Sequence, residues 1–442
     1  MNHDLSRRQF FRAVQGAAVG AGALAPTLAF GAPQAKGGGP FAKTLIYMFL
    51  RGGIDGLNLV PPSANSRHRA DYESLRPNIQ VPTSGDNPVL PISGTWGFHP
   101  AASELRDIYS DDRKLAIIHG TGLPRNEITR SHFDAMEMME LGTPGVLSTA
   151  TGWLARHLQS SPGVTGQEII RSLSSGSNRP SSLRGDFATL TVSDVDSYHP
   201  RDHWSLRDAY LQGMDRLYRG NGPLELAGAT AMDTVRIVQD LDLDTSLPGG
   251  VSYPNNSAGR NLENIGRMID ADLGLRAATI DVGGWDTHNG QGDFGGGSFF
   301  GQVEDISEAI GAFWRHMKAR GKENEIALVI HSDFGRRARQ NGQSGSGTDH
   351  GSGNVMFVLG GLVEGGTYGR FRGLSNDTLY EGQDVAPMVD FRQVLGTVVR
   401  DLMGNPFTNG VFPGFGTFES LEFAESNFDP EVMFANGFES GA

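Results

Sequence analysis

Five short apolar runs, each ended by glycine or a polar residue, recur along the chain. They are Lys43–Leu50 (KTLIYMFL), Lys114–Gly120 (KLAIIHG), Leu275–Val282 (LRAATIDV), Asn324–Ser332 (NEIALVIHS) and Asn354–Gly361 (NVMFVLGG). The runs are nearly continuous rather than alternating, which predicts strands buried on both faces. Between them, apolar residues return at helical spacing in Ser103–Asp111, Ser131–Gly142, Asn261–Leu273, Phe299–Gly321 and Val389–Gly404. Strands interleaved with helices predict an α/β fold, with a mainly parallel central sheet sandwiched by helices. The stretch from about Pro162 to Gly259 lacks this rhythm and is expected to form an irregular cap or insertion over the sheet edge. No internal repeat is visible, so one domain with insertions is expected over residues 43–442.

Open parallel sheets bind their ligands just beyond the carboxyl ends of the strands. Polar residues fall there repeatedly. The first run is followed by RGGIDGLN, with Asp55 and Asn58, and the second by a segment carrying Ser131 and His132 at a helix start. The third leads into GGWDTH, with Asp286 and His288. The fourth leads into SDFGRR, with Asp333, Arg336 and Arg337, and GTDHG places Asp349 and His350 just before the fifth.

Composition narrows what these residues do. The 442 residues contain no cysteine, which excludes disulfides, thiolate metal sites and a cysteine nucleophile. A formal net charge of −13 argues against nucleic acid as a partner, because such binding needs a basic stripe on the protein. Carboxylate and imidazole without sulfur suit Zn, Mn, Mg or Ca, as one ion or two. Asp55, Asp286, His288, Asp333, Asp349 and His350 are the candidate ligands. Ser131 is a candidate nucleophile activated by metal at its helix N-terminus, and Arg336 a candidate clamp for an anionic ester group.

Several residues have plain structural readings beside the chemical ones. Ser131 suits an N-cap with Asp134 three residues on, and the cap does not preclude nucleophilic use. Asp55 suits an Asx turn and His132 a solvent-facing site. His331 reads as a packed strand residue, Arg337 and Arg339 as a solvated face, and His99, His119, His199 and His203 as structural or surface residues.

The N-terminus carries SRRQFFR (Ser6 to Arg12) followed by the weakly apolar run Ala13–Ala32, interrupted by Pro26. Paired arginines, a mild hydrophobic stretch and small residues before Ala32 form the pattern of a twin-arginine signal over residues 1–31, with a linker at 32–42. The expected partner is the twin-arginine export machinery, and the expected location is periplasmic or secreted. The run is too weakly apolar for a stable membrane anchor.

Taken in order, RGGIDGLN, RSHFDAMEMME, TGWLAR, GGWDTH, SDFGRR, NGQSGSGTDHG and VDFRQV resemble a bacterial family catalogued as domain of unknown function 1501, over nearly the whole mature chain. The resemblance implies an alkaline phosphatase/sulfatase-like fold and a two-metal site. It implies Asp55, Asp286, His288, Asp333 and His350 as ligands and Ser131 at the nucleophile position. Two departures stand out. Phe334 occupies the position where alkaline phosphatases carry a histidine after the acid, and the Asp286–His288 spacing is short. No formylglycine motif is present. The expectation is an exported metal-dependent hydrolase of phosphate or sulfate esters, acting on an anionic small molecule or polysaccharide ester. The alternatives are a catalytically degenerate envelope binding or assembly protein and a metal-dependent phosphoryl isomerase or transferase.

Overall fold

The run Thr44–Leu50 (β1) is buried along its whole length because both of its faces are covered. Ile46, Met48 and Leu50 join one core cluster, while Leu45, Tyr47 and Phe49 join another on the opposite face. This follows from the two-residue period of a strand. The computed structural model describes residues 41–424, apart from 163, 165–167, 187–188, 194–206, most of 221–245, 294–295, 343–345 and 417. These residues lie within one compact unit, Ala35–Asp429. The expected signal at 1–31, most of the 32–42 linker, His199 and His203 lie outside the described residues.

Eight further strands join β1 in the central sheet: β2 (Leu115–Gly122), β3 (Ser172–Ser175), β4 (Thr189–Val192), β5 (Ala277–Val282), β6 (Ile326–Ser332), β7 (Asn354–Leu359), β8 (Gly366–Gly369) and β9 (Val389–Asp390). Their order is β8-β2-β7-β6-β1-β5-β3-β4, with β9 also pairing β2. All pairings are parallel except those of β7, which runs antiparallel to β2 and β6. The chain is thus mixed α/β with a mainly parallel central sheet.

Helices used below are α1 (Gly56–Leu59), α2 (Arg69–Leu75), α3 (Ser103–Asp107), α4 (His132–Leu141), α5 (Trp153–Ser160), α6 (Ser257–Asp270), α7 (Gly297–Arg320) and α8 (Phe391–Thr397). Leu105 of α3, Leu262 and Ile265 of α6, and Val303 and Phe313 of α7 cover one face of the sheet. Met139 of α4, Trp153 of α5 and Leu395 of α8 cover the other.

Two expectations are corrected. The stretch 162–259 is not only a cap, since β3 and β4 extend the central sheet from within it. β3 reads SLSS, which carries no apolar signature, yet all four residues are buried. Its hydroxyls find partners, Ser174 on the Asn178 carbonyl (2.7 Å) and Ser175 on Asn261 Oδ1 (3.1 Å), so burial leaves them satisfied. The expected helix Val389–Gly404 begins instead as β9, and Asp390 then caps α8 by accepting from the Arg392 N–H.

The antiparallel course of β7 positions the site. The parallel strands β1, β5 and β6 all end at one rim. β7 runs the other way, so the residues that precede it, Asp349 and His350, arrive at that same rim.

Candidate metal centre

Past β1 the chain turns tightly through Gly52 (φ +117) and Gly53 (φ +66). A side chain at Gly52 would place its Cβ 2.7 Å from the Asp286 nitrogen, and one at Gly53 would meet the Phe334 ring at 2.8 Å. Only glycine permits this approach. It lets the two N–H groups donate to Asp333 Oδ1, at 3.2 and 2.6 Å, and the Ser332 hydroxyl adds a third bond at 3.0 Å. Asp333 is fully buried, and its other oxygen faces His132 Nδ1 in a short contact. Arg51 bonds Glu140 of α4 (2.5 Å) and Asp281 of β5 (2.9 Å), which holds the helix carrying His132 against the strand ends.

Three imidazoles converge beyond this turn. His350 Nδ1 lies 2.8 Å from the Arg130 carbonyl, and His288 Nδ1 lies 2.9 Å from Asp349 Oδ1. A carbonyl or an ionised carboxylate only accepts, so each Nδ1 carries the proton and each Nε2 of a neutral ring presents a lone pair. Those lone pairs meet at Asp286 Oδ1, with His288 Nε2 and His350 Nε2 each at 3.0 Å and His132 Nε2 at 3.4 Å. His288 Nε2 and His350 Nε2 are 2.8 Å apart. The ligand atoms of His132, Asp286 and His350 all lie within 4.8 Å of one another. The Phe334 ring packs against His132 (4.6 Å) and His350 (4.8 Å), so the residue standing where a histidine was implied holds the other rings in place.

Charges are tuned to match. The hydrogen bond to Asp333 raises the His132 pKa, outweighing burial. Burial alone would raise Asp286, but the Arg336 guanidinium bonded to it overcomes burial and holds the carboxylate well below its ordinary range. Asp349 is likewise lowered, with bonds from His288 and Asn341 outweighing burial. The mouth is open, since the Asp286 side chain is 47% exposed.

Other expected site residues stand elsewhere. Asp55 is fully buried and does not join the cluster. Arg76 of the segment after α2 pairs with its Oδ2 at 2.6 Å, Gln291 donates to the same oxygen at 2.7 Å, and the Asn58 N–H caps onto Oδ1. A guanidinium therefore occupies the place where an ion was expected. Asn58 is equally engaged, receiving Tyr72 (2.6 Å) and Arg76 (2.7 Å) and donating to the Ile79 carbonyl.

Arg336 is buried too. It donates to Asp286 and to the carbonyls of Gly52, Gly53, Trp285 and Thr348, so it positions Asp286 rather than clamping a ligand. Asp333 and Asp349 sit behind histidines. Ser131 caps α4, its hydroxyl accepting from the Asp134 N–H. His132, a catalytic candidate from the sequence with a solvent-facing position as its plain reading, lies with its Nδ1 on Asp333 and its Nε2 toward Asp286. His331 packs in the core against Phe49 and Phe391, as expected of a strand residue.

The donor set fits a divalent cation. Among the described residues His132 Nε2 is buried without a hydrogen-bond partner, and acceptor atoms crowd one point where Arg336 is the donor to Asp286. Carboxylates or carbonyls behind each Nδ1 are the usual support of metal-binding histidines. Nitrogen-rich donors of this kind suit zinc and its neighbours better than Mg or Ca, which prefer oxygen.

Among solved structures, the chain is similar to the C-terminal periplasmic domain of EcEptC from Escherichia coli in complex with Zn. The two share 11% identity over 86% of this chain and 88% of that one, at a TM-score of 0.39. It is also similar to the PsFucS1 sulfatase from Pseudoalteromonas sp. (11% identity, 85% and 71% covered, TM-score 0.37). A third is the phosphonate monoester hydrolase SpPMH from Silicibacter pomeroyi (9% identity, 86% and 75% covered, TM-score 0.34). Likeness at this level assigns no residue role. No curated protein matched the sequence. The family model described as "Protein of unknown function (DUF1501)" matches residues 119–404, and the chain belongs to that family.

Proposed function

We propose that this chain is an exported, metal-dependent esterase acting on phosphate or sulfate esters. The observation that carries the reading is the convergence of three Nδ1-pinned imidazoles on Asp286 Oδ1 at an open rim. His132, Asp286 and His350 bind the ion in this reading, with His288 beside them. Asp333, Asp349 and the Arg130 carbonyl keep the Nδ1 protons in place, and Arg336 keeps Asp286 ionised and aimed. A divalent ion held there supplies Lewis-acid polarisation of the ester's anionic oxygens.

Ser131 remains the candidate nucleophile. Its hydroxyl accepts the cap bond, which leaves the O–H proton free to be given up, and it precedes the ligand His132 by one residue. Such a centre serves transfer of the same group to another acceptor as readily as to water. It is less expected of a degenerate binding protein, which has no need to hold three imidazole tautomers. Among the described residues no helix is long and apolar enough to cross a membrane.

The test is elemental analysis of purified mature protein beside an Asp286→Ala, His350→Ala double variant, followed by assays on aryl phosphate, phosphonate and sulfate monoesters. About one divalent ion per chain is expected in wild type, as the single cluster requires, with far less in the variant. Turnover should be lost with the ion. Wild type that stays empty after zinc and manganese supplementation sinks the reading.

A further inference from the structure

The loop around Tyr380 to Asp384 has no part in the chemistry above, yet its charges converge on the metal centre's supports. Arg130 NH2 lies 2.9 Å from Glu381 Oε2 and 2.6 Å from Asp384 Oδ2. The Asp384 side chain is fully buried, and it also receives the Ser352 hydroxyl at 2.8 Å. Glu381 holds a left-handed backbone (φ +52), costly for a residue with a side chain, in a tight turn closed by reciprocal bonds between Tyr380 and Asp384. The same turn joins the strand-like run after Arg336, through a bridge from Arg337 to Asp384.

Arg130 is where this matters. Its carbonyl is the acceptor that fixes His350 Nδ1, and it stands two residues before His132. Three segments therefore meet at one residue: the approach to α4, the histidine before β7, and the 380–384 turn. Free rotation of the Arg130 peptide would release the His350 tautomer and shift the start of α4 together.

We propose that the Glu381–Asp384 turn is a positioning device for the metal centre, clamping Arg130 so that its carbonyl orients His350 and its chain sets His132. The inference rests on the metal reading. None of these groups touches the ion. Their effect is to keep two ligands preorganised, and loss of such outer support lowers metal affinity by about 10–100-fold.

The experiment measures zinc affinity by chelator competition in the full mature chain, for wild type, Asp384→Asn and Glu381→Gln, with thermal unfolding of each metal-free form and the visible spectrum of each cobalt-loaded form. Asp384→Asn keeps size and the bond from Ser352 while removing the charge. It should weaken zinc at least about 10-fold and alter the cobalt spectrum in protein that is still folded. Glu381→Gln, at an exposed position that leaves folding untouched, should weaken it in the same direction by less. Restoring a cation–carboxylate pair by an Asp384→Glu variant should recover part of the loss.

Unchanged zinc affinity in both Asn and Gln variants overturns the proposal, as does a loss confined to unfolded protein. Were Asp384→Asn not to fold, Glu381→Gln alone decides by the same criterion. A wild type that binds no zinc or cobalt is a different failure, since it removes the metal reading itself.

Discussion

Asp55 and Asp286 each follow a buried strand by a few residues, beside glycines, at the same rim of the sheet. Their surroundings differ sharply. Asp55 is sealed, with Arg76, Gln291 and the Asn58 N–H supplying donors to both of its oxygens. Asp286 is half open, and its Oδ1 faces one guanidinium and three imidazole nitrogens whose protons are on the far side of the ring. Both carboxylates pair with a buried arginine, but Asp55 has donors on both oxygens and none of its surface open, whereas Asp286 is half exposed and borders imidazole nitrogens as well. A rim position thus brings a carboxylate to where chemistry is possible, and donor saturation decides whether it is free for a ligand.

The strongest way to break this contrast is Asp55→Ala. It leaves Arg76, fully buried, without its carboxylate. Removing one partner of a buried pair should cost about 3–5 kcal/mol of stability. Urea unfolding at neutral pH measures that cost, and metal content per folded chain should not change. A folded variant that has lost its metal instead would put Asp55 back among the ligands.

Asp286→Ala should do the reverse. Metal affinity should fall by more than the ~100-fold upper range for outer supports, because a ligand rather than a support is removed. Stability of the metal-free protein should fall by less than in Asp55→Ala, since Asp286 is 47% exposed and the buried Arg336 keeps four carbonyl acceptors. Chelator competition and urea unfolding of the same sample read both quantities.

The two aspartates also mark what sequence made legible. The five apolar runs are strands because each is covered on both faces, and that burial leaves an unbroken apolar record. Asp286 and His288 could be placed at the rim from sequence because they follow a strand end and no ordinary turn accounts for the pair. Asp55 satisfied the same rule, but its partner Arg76 lies 21 residues on, in a stretch with no periodic sign of where its side chain points. Arg336 and Arg337 are adjacent and alike in sequence. Backbone carbonyls of Gly52, Gly53 and Thr348 decide that Arg336 turns inward, and carbonyls leave no trace in side-chain identity. β3 was missed for a related reason, as its serines are made tolerable in the sheet by hydrogen bonds rather than by apolar character. The reversed course of β7 was likewise unreadable, although it is what brings His350 to the rim.

The contrast extends to histidine. The rim imidazoles have carboxylates or a carbonyl behind them, whereas His119 and His157 are buried with no charged partner shaping them. Burial lowers His119 to about 3 and His157 to about 4. The native rings therefore stay neutral where the unfolded chain, titrating near 6.5, takes up protons. Stability is complete above about pH 6.5 and falls as pH drops, by up to about 1.4 kcal/mol per unit for each ring, until the folded pKa is reached. Unfolding of the metal-free protein between pH 7 and 5, with chelator throughout, should show this limb. It should be shallower in a His157→Gln variant, which keeps a polar group for Asn405. Equal slopes would mean that His157 is already protonated or already released.

Ser131 stands on the border of the comparison, satisfied as a cap and one residue before His132. Replacing a serine cap by alanine costs about 1 kcal/mol, and by glycine only a few tenths. Ser131→Ala should thus lower stability by about that amount without changing metal affinity, and Ser131→Gly should be close to wild type. The pair separates the two roles, because both variants lack the hydroxyl but only alanine weakens the helix start. If turnover on an aryl ester is lost equally in both, the loss follows the hydroxyl and Ser131 attacks the ester. If glycine restores turnover along with stability, the serine does no more than hold His132 in place.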